Sequence, residues 1–424
     1  MVNIIKSSFD ITYKVLKKDI SLHECMQEYF DLHAMAPEHR KSVVKICIHF
    51  FRNNLALQEL LEDAFPKLRT NDFFILGVSL TDYLFVNSLC KEENICTTIE
   101  LLRSNKSNVS EDMVERLFDS IHQYKDLIPQ NIKNGTKKYL SLRYNLPLWV
   151  VNLWTKHYGS NVAEKLMQHV RKYAYKNFRI NRLKTNYQKV MNSSKDFVGG
   201  RSLTLTTVVY KSFKDWKNLS LYENGEIIPI SEGMNHLVNK LHLRANDEVL
   251  IIDYMKTNAA LAMAESSNDK AHITLYCENE DDKYTFNYRI KSYGFTHVEA
   301  GDGPLSRLFT YISNSKDLVF LCPKSTNFNN INNNPDFFIH CKQEYLDTII
   351  QDERDMLEEG AKYVNDNGLL VYAIETANNK EGSLLISEFL DLHNDFKLVE
   401  QRQTLQFDRR DTSFYFAILR KIGK

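Results

Sequence analysis

The chain has 424 residues, with 54 basic and 54 acidic side chains. It is too long for one ordinary domain, and it carries no net charge that would mark it as a bulk polycation or polyanion. Its seven cysteines are scattered, with no C-x-x-C and no histidine at ligand spacing, which excludes a zinc finger or a disulfide framework. The opening MVNIIKSSFDITYK has no secretory apolar stretch, and no apolar run reaches the roughly 18 residues that span a bilayer. A reducing cytoplasm is therefore expected, with neither a membrane nor a metal as partner.

Residues 4 to about 140 carry apolar side chains at helical spacing throughout. Ser21 is placed to cap a helix through Cys25, Met26, Tyr29 and Phe30, and Pro37 opens a second. Thr70 is expected to cap a helix bearing Phe73, Leu76, Leu80 and Leu84. Ile95–Leu102 and Val114–Tyr124 complete an all-α bundle. Next, SLRYNLPLWVVNLWTKHYG predicts a helix that starts at Pro147, carries Trp149 and Trp154, and stops at Gly159. The tryptophans suit a core, with base stacking as the alternative.

From Phe178 the period shortens. FRINRLKT and SLTLTTVVY alternate as strands and NYQKVMNSS suits a short helix, so a small α+β segment is expected with Arg179, Arg182 and Lys184 on its first strand. Between Lys137 and Lys189 there are twelve Lys or Arg and a single acid, Glu164. A basic run this poor in acids suits phosphate contacts, and Arg143, Arg171, Lys172, Arg179, Arg182 and Lys184 are the candidate RNA-binding residues. An acidic stretch, Glu344–Asp366, compensates.

After Asn246 apolar strands alternate with helices: 249–252, 272–278, 296–302, 317–323 and 369–375. This pattern predicts a parallel sheet covered on both faces. Lys397–Gln401 and Ser413–Leu419 have no room for a helix between them and should form an antiparallel hairpin at the sheet edge. The strand–turn–helix of 246–265 is the usual opening of a nucleotide-binding α/β domain.

An α/β sheet closed by such a hairpin resembles a class I S-adenosylmethionine-dependent methyltransferase. NLPLWVVNLWTKHYG (145–159) followed by FRINRLKT (178–185) resembles, more narrowly, the Sun/RsmB type of ribosomal RNA cytosine-5 methyltransferase. NPD (334–336), AKYVNDNGLLVY (361–372) and FYFAILRK (414–421) fit the same family in order and spacing. The resemblance implies a NusB-like helical domain over 1–140, linker helices and an α+β RNA-binding segment over 141–235, and a Rossmann-like methyltransferase domain over 236–424. It also implies S-adenosylmethionine as cofactor and ribosomal RNA as partner.

The family's reacting groups are altered. Its D-x-C-A-A-P-G-G-K-T loop aligns with Ile251–Ala260, where the two glycines are Thr257 and Asn258 and the lysine is Ala259. Asp253 is the polar group that remains in that turn. Glu278, beside Cys277, and Asp302 stand where acids read the cofactor's ribose and adenine. In the D-A-P-C-S-G loop Cys322 replaces the acid, and Lys324 or Ser325 stands at the nucleophile. The later T-C-S motif is Ile374-Glu375-Thr376. No cysteine occupies a catalytic position, with Cys322 as a displaced candidate, and a serine or lysine does not replace a soft thiolate. Three readings stand open: an RNA-binding homologue without cytosine methylation, an active methyltransferase with a rebuilt site, and an adaptor that binds a protein through its helical domain.

Overall fold

A computed structural model describes residues 3–121, 127–169, 172, 175–200, 206–212, 215–312, 315–409 and 412–423. The chain divides into two compact units, one formed by residues 1–171 with 330–343, the other by 172–329 with 344–424.

The first unit is helical. Ser21 caps the helix Leu22–Leu32 through a reciprocal box with Glu24, and Pro37 opens Pro37–Arg52. Thr70 is the first residue of Thr70–Thr81 and not its cap, since Arg69 precedes it and no side chain bonds the helix amides there. The helix Glu111–Ser120 ends short of the expected Tyr124, which lies outside the described residues. One core runs through the bundle, from Ile5 and Phe50 to Phe118 and Leu142. Trp154 is fully buried, as expected of a core anchor, while Trp149 is half-buried, edge-on to Phe338 at 6.4 Å.

Residues 330–343 complete this bundle. The Asp336 carboxylate accepts the Leu22 N–H at 2.8 Å, and Arg52 donates to the Asn332 carbonyl at 3.2 Å. His340 stands between Asp19 (2.7 Å) and Asp336 (3.2 Å). NPD therefore serves here as a helix cap.

In the second unit the described strands form two sheets. The smaller holds β1 (Lys176–Ile180), β2 (Phe197–Gly199), β3 (Thr207–Tyr210) and β4 (Ile227–Pro229) in the order β2-β3-β1-β4, all antiparallel. β1 stops at Ile180, so Arg182 and Lys184 lie in the following turn and not on the strand. The short helix in NYQKVMNSS is Tyr187–Ser193, and residues 201–205 of the second alternating run lie outside the described residues.

The larger sheet holds β5 (Glu248–Asp253), β6 (His272–Cys277), β7 (Val298–Asp302), β8 (Lys316–Cys322), β9 (Val364–Ile374), β10 (Phe396–Thr404) and β11 (Phe414–Lys421). Its order is β10-β11-β9-β8-β5-β6-β7, parallel except for β11, which pairs antiparallel with both β9 and β10. β5, β6, β8 and the second half of β9 are near-continuous apolar runs because both faces are covered, by the clusters around Ile251 and Phe320 and around Leu250 and Val319. This bears out the α/β sheet with its closing hairpin and the helical region before it. One detail differs: a single helical turn, Gln406–Arg409, fits between β10 and β11.

Gly77 shows how tightly the bundle is packed. A Cβ there would lie 2.6 Å from Cε2 of Phe50. That ring is held by Phe51, Phe73 and Phe74, with centroids at 5.2, 5.9 and 5.2 Å. Alanine gains about 1 kcal/mol in helix propensity, against roughly 1–3 kcal/mol for overpacking. Gly77→Ala should therefore lower the urea midpoint, by about 1 kcal/mol in net stability; an unchanged or raised midpoint would show that the Phe50 ring can yield.

Candidate functional site

From β5 the chain builds outward on one side to β6 and β7 and then on the other to β8 and β9. The order reverses between β5 and β8, and open α/β sheets bind ligands at that switch, beyond the carboxyl ends of the strands. Asp253 ends β5, Cys277 and Glu278 end β6, Asp302 ends β7, Cys322 ends β8 and Glu375 follows β9. Register sets Asp253 opposite Cys322, and Cys277 opposite Asp302. The topology thus brings together every cofactor-side residue expected from the sequence.

The turn after β5 keeps a glycine-like backbone without glycine. Lys256 and Asn258 have φ of 55° and 62°, and Asn is among the residues that accept this region at least cost. The Asn258 side chain is fixed at both ends, its Nδ2 donating to the Pro229 carbonyl and its Oδ1 accepting from Arg289, each at 2.8 Å. The Cβ atoms that Thr257 and Asn258 bring to the turn are thus accommodated, with the side chains bonded to groups around it. The Thr257 N–H and hydroxyl both donate to Asp253, at 2.8 and 2.9 Å, and the Ala259 N–H reaches the Thr257 hydroxyl at 3.3 Å. These amides bond to the turn's own side chains.

The strand-end acids are also taken. Glu278 is paired with Lys324. Asp302 is paired with Lys283 at 2.7 Å, and Asp282, on the same helix as Lys283, holds Lys256 at 2.6 Å. Lys283 and the pairings of all three lysines are the part that sequence reading missed; the partners lie far along the chain, 46 positions away for Lys324 and 19 for Lys283.

Cys322 is fully buried, with its sulfur 3.7 Å from the Thr257 hydroxyl. Burial and the adjacent Asp253 push its thiol well above the usual range. A nucleophile needs the thiolate, and this burial disfavours it at Cys322. The Ser325 hydroxyl is held by the Glu375 carbonyl at 3.2 Å.

The basic candidates separate by burial. Arg179 is fully buried, its guanidinium bonded to Glu265 and, at 2.7 Å each, to Asn235 and Asn239. It has no surface to offer a phosphate, which corrects its expected role. Arg182 also pairs with Glu265 but keeps 47% of its side chain exposed. Lys184 is exposed and donates to the Asn224 and Ser292 carbonyls. Arg143, on the helical unit, lies against Tyr139 and Tyr144 with ring centroids at 5.7 and 6.0 Å. Lys172 is exposed, and Arg171 lies outside the described residues.

A seven-stranded sheet in this order, with one antiparallel strand inside its edge, defines the class I methyltransferase fold. Within that class the chain has the fold of the Sun-type proteins, as its resemblance implied. It is similar to PH0851 over 99% of both chains, with a TM-score of 0.72 at 17% identity. NSun6 from Pyrococcus horikoshii, solved with SFG, matches 65% of this chain and 98% of its own, with a TM-score of 0.58 at 12% identity. A methyltransferase homolog protein from Pyrococcus horikoshii matches over 68% and 100%, with a TM-score of 0.59 at 14% identity. No protein-family model matches the chain, and no curated protein matches it in sequence. Among the described residues no helix is long and apolar enough to cross a membrane, and no cluster of three or more metal-type side chains is placed to hold a metal ion.

Asp253 gives the site a pH signature. It is 1% exposed, and burial raises its carboxyl from 3.8 to about 6 despite the bonds from Thr257. A group raised on folding adds its full stability below its unfolded value and loses it as pH rises through the folded one. The difference from 3.8 to about 6 corresponds to about 3 kcal/mol. Relative to Asp253→Asn, the wild type should therefore lose up to that much between about pH 4 and about pH 7. Urea denaturation across this range checks it, and a pH-independent difference would contradict it.

Proposed function

We propose that this chain is an RNA-binding protein on a Sun-type methyltransferase scaffold that does not methylate cytosine. The carrying observation is that the ligand-reading groups at the sheet switch point are bound by the chain itself. Glu278 and Asp302 face lysines, and the turn amides face Asp253 and Thr257. S-adenosylmethionine fits this donor set poorly: its ribose and adenine contacts would compete with the lysines already paired to Glu278 and Asp302. With Cys322 buried and Ser325 and Glu375 at the reacting positions, no group supplies the thiolate that attack on cytosine needs.

Two titrations test this. Isothermal titration with millimolar S-adenosylmethionine should give no binding heat, and saturable one-site binding would overturn the cofactor half of the proposal. The RNA half rests on the acid-poor run from Lys137 to Lys189 and on the exposed Arg143, Lys172, Arg182 and Lys184. Filter binding to a small-subunit ribosomal RNA fragment should weaken steeply with salt, and each of these residues changed to Ala should reduce the log–log slope by about 0.7–0.9. Affinity indifferent to salt would sink it. Arg179→Ala serves as the contrasting variant, costing stability because it leaves the buried Glu265 to be answered by the half-exposed Arg182 and strips Asn235 and Asn239 of their shared donor.

A further inference from the structure

Beneath the loops that follow β8 and β9 lies a pair of acids with no part in the readings above. Glu381 ends the 3₁₀ turn Asn379–Glu381 and is fully buried. It accepts the Thr326 N–H, the Thr326 hydroxyl and the Thr376 hydroxyl, each at 2.6 Å. Thr326 lies in the loop after β8 and Thr376 in the loop after β9, the two loops that carry Ser325 and Glu375. One carboxylate thus ties both together.

Glu353, on the helix Gln343–Ala361, is equally buried, and neither of its oxygens meets a donor. The groups acting on it are Glu381, the Tyr372 hydroxyl on β9 and Asp352 on its own helix; none is basic. The Tyr372 hydroxyl commits its proton to the Glu381 main-chain carbonyl at 2.9 Å, and its ring packs against Tyr415 of β11 at 6.4 Å. An ionised Glu353 would then be a second negative charge beside Glu381 with nothing to answer it. A protonated Glu353 can donate to the Glu381 carboxylate, whose charge makes it a stronger acceptor than the neutral Tyr372 hydroxyl beside it.

We propose that Glu353 and Glu381 share a single proton, and that this pair is a lock holding the loops after β8 and β9 together until rising pH removes the proton. Burial and the charge of Glu381 both push the Glu353 carboxyl well above the usual carboxylate range. The sign follows: the lock holds while Glu353 keeps its proton and is lost as pH rises through its raised value. The proton leaves to solvent, and the two like charges then repel across the contact that positions Thr326 and Thr376.

Hydrogen exchange on the full-length chain, read by mass spectrometry as protection factors for peptides covering 323–327 and 374–378, tests this. In the wild type, protection in both peptides should fall by about tenfold or more from neutral to about pH 10, while peptides in β5 hold theirs. Glu353→Gln keeps a donor toward Glu381 but has no proton to lose, so its protection should stay level over the same range. Glu381→Gln should lose protection in both peptides at neutral pH. If that variant does not fold, the first two measurements still decide. A wild-type profile flat with pH, or an alkaline loss in Glu353→Gln equal to that of the wild type, would overturn the lock.

Discussion

The second unit depends on one buried carboxylate. Glu265 ends an alanine-rich helix packed under β5, where water cannot reach it, and an isolated charge there would cost several kcal/mol. Arg179 and Arg182 answer it from the smaller sheet, and Asn235 and Asn239 hold the remaining guanidinium donors of Arg179. Because Arg179 sits on β1, the two asparagines on the helix Glu232–Leu241 and Glu265 on the helix Ala259–Ser266, the cluster fixes where the antiparallel sheet meets the helix that follows the first parallel strand. It is a registration device more than a source of net stability, since hydrophobic residues of the same volume often do as well energetically.

This also explains what was legible in the sequence. The parallel strands were plain, because a run such as Val249–Ile252 buried on both faces has no polar residue to confuse it. The capping box at Ser21 and the helix start at Pro37 were plain too, since both signals are local. Arg179 was misread because its partner lies 86 positions later. The burial of β1 on both faces erased the alternation that would have separated an inward arginine from an outward one. β2 and β4, three residues each, were too short to leave a period.

At the switch point the residues singled out in the sequence sit at neighbouring strand ends, and the structure supplies their partners. Asp253, Glu278, Asp302 and Cys322 do converge. Lysines at 256, 283 and 324 turn a set of acids that would face a ligand into a set of internal salt bridges. The glycine-free turn follows the same logic, because Thr257 and Asn258 use their side chains to satisfy the polar groups that a glycine turn leaves open. Shape is kept where the backbone alone determines it, and vacancy is lost where side chains can fill it.

The helical unit, finally, is not finished by its own stretch of chain. Residues 330–343 supply the Asp336 cap, the His340 bridge to Asp19 and apolar contact through Ile339. During synthesis the bundle therefore waits, its helix Leu22–Leu32 lacking one cap, until most of the parallel sheet has also emerged.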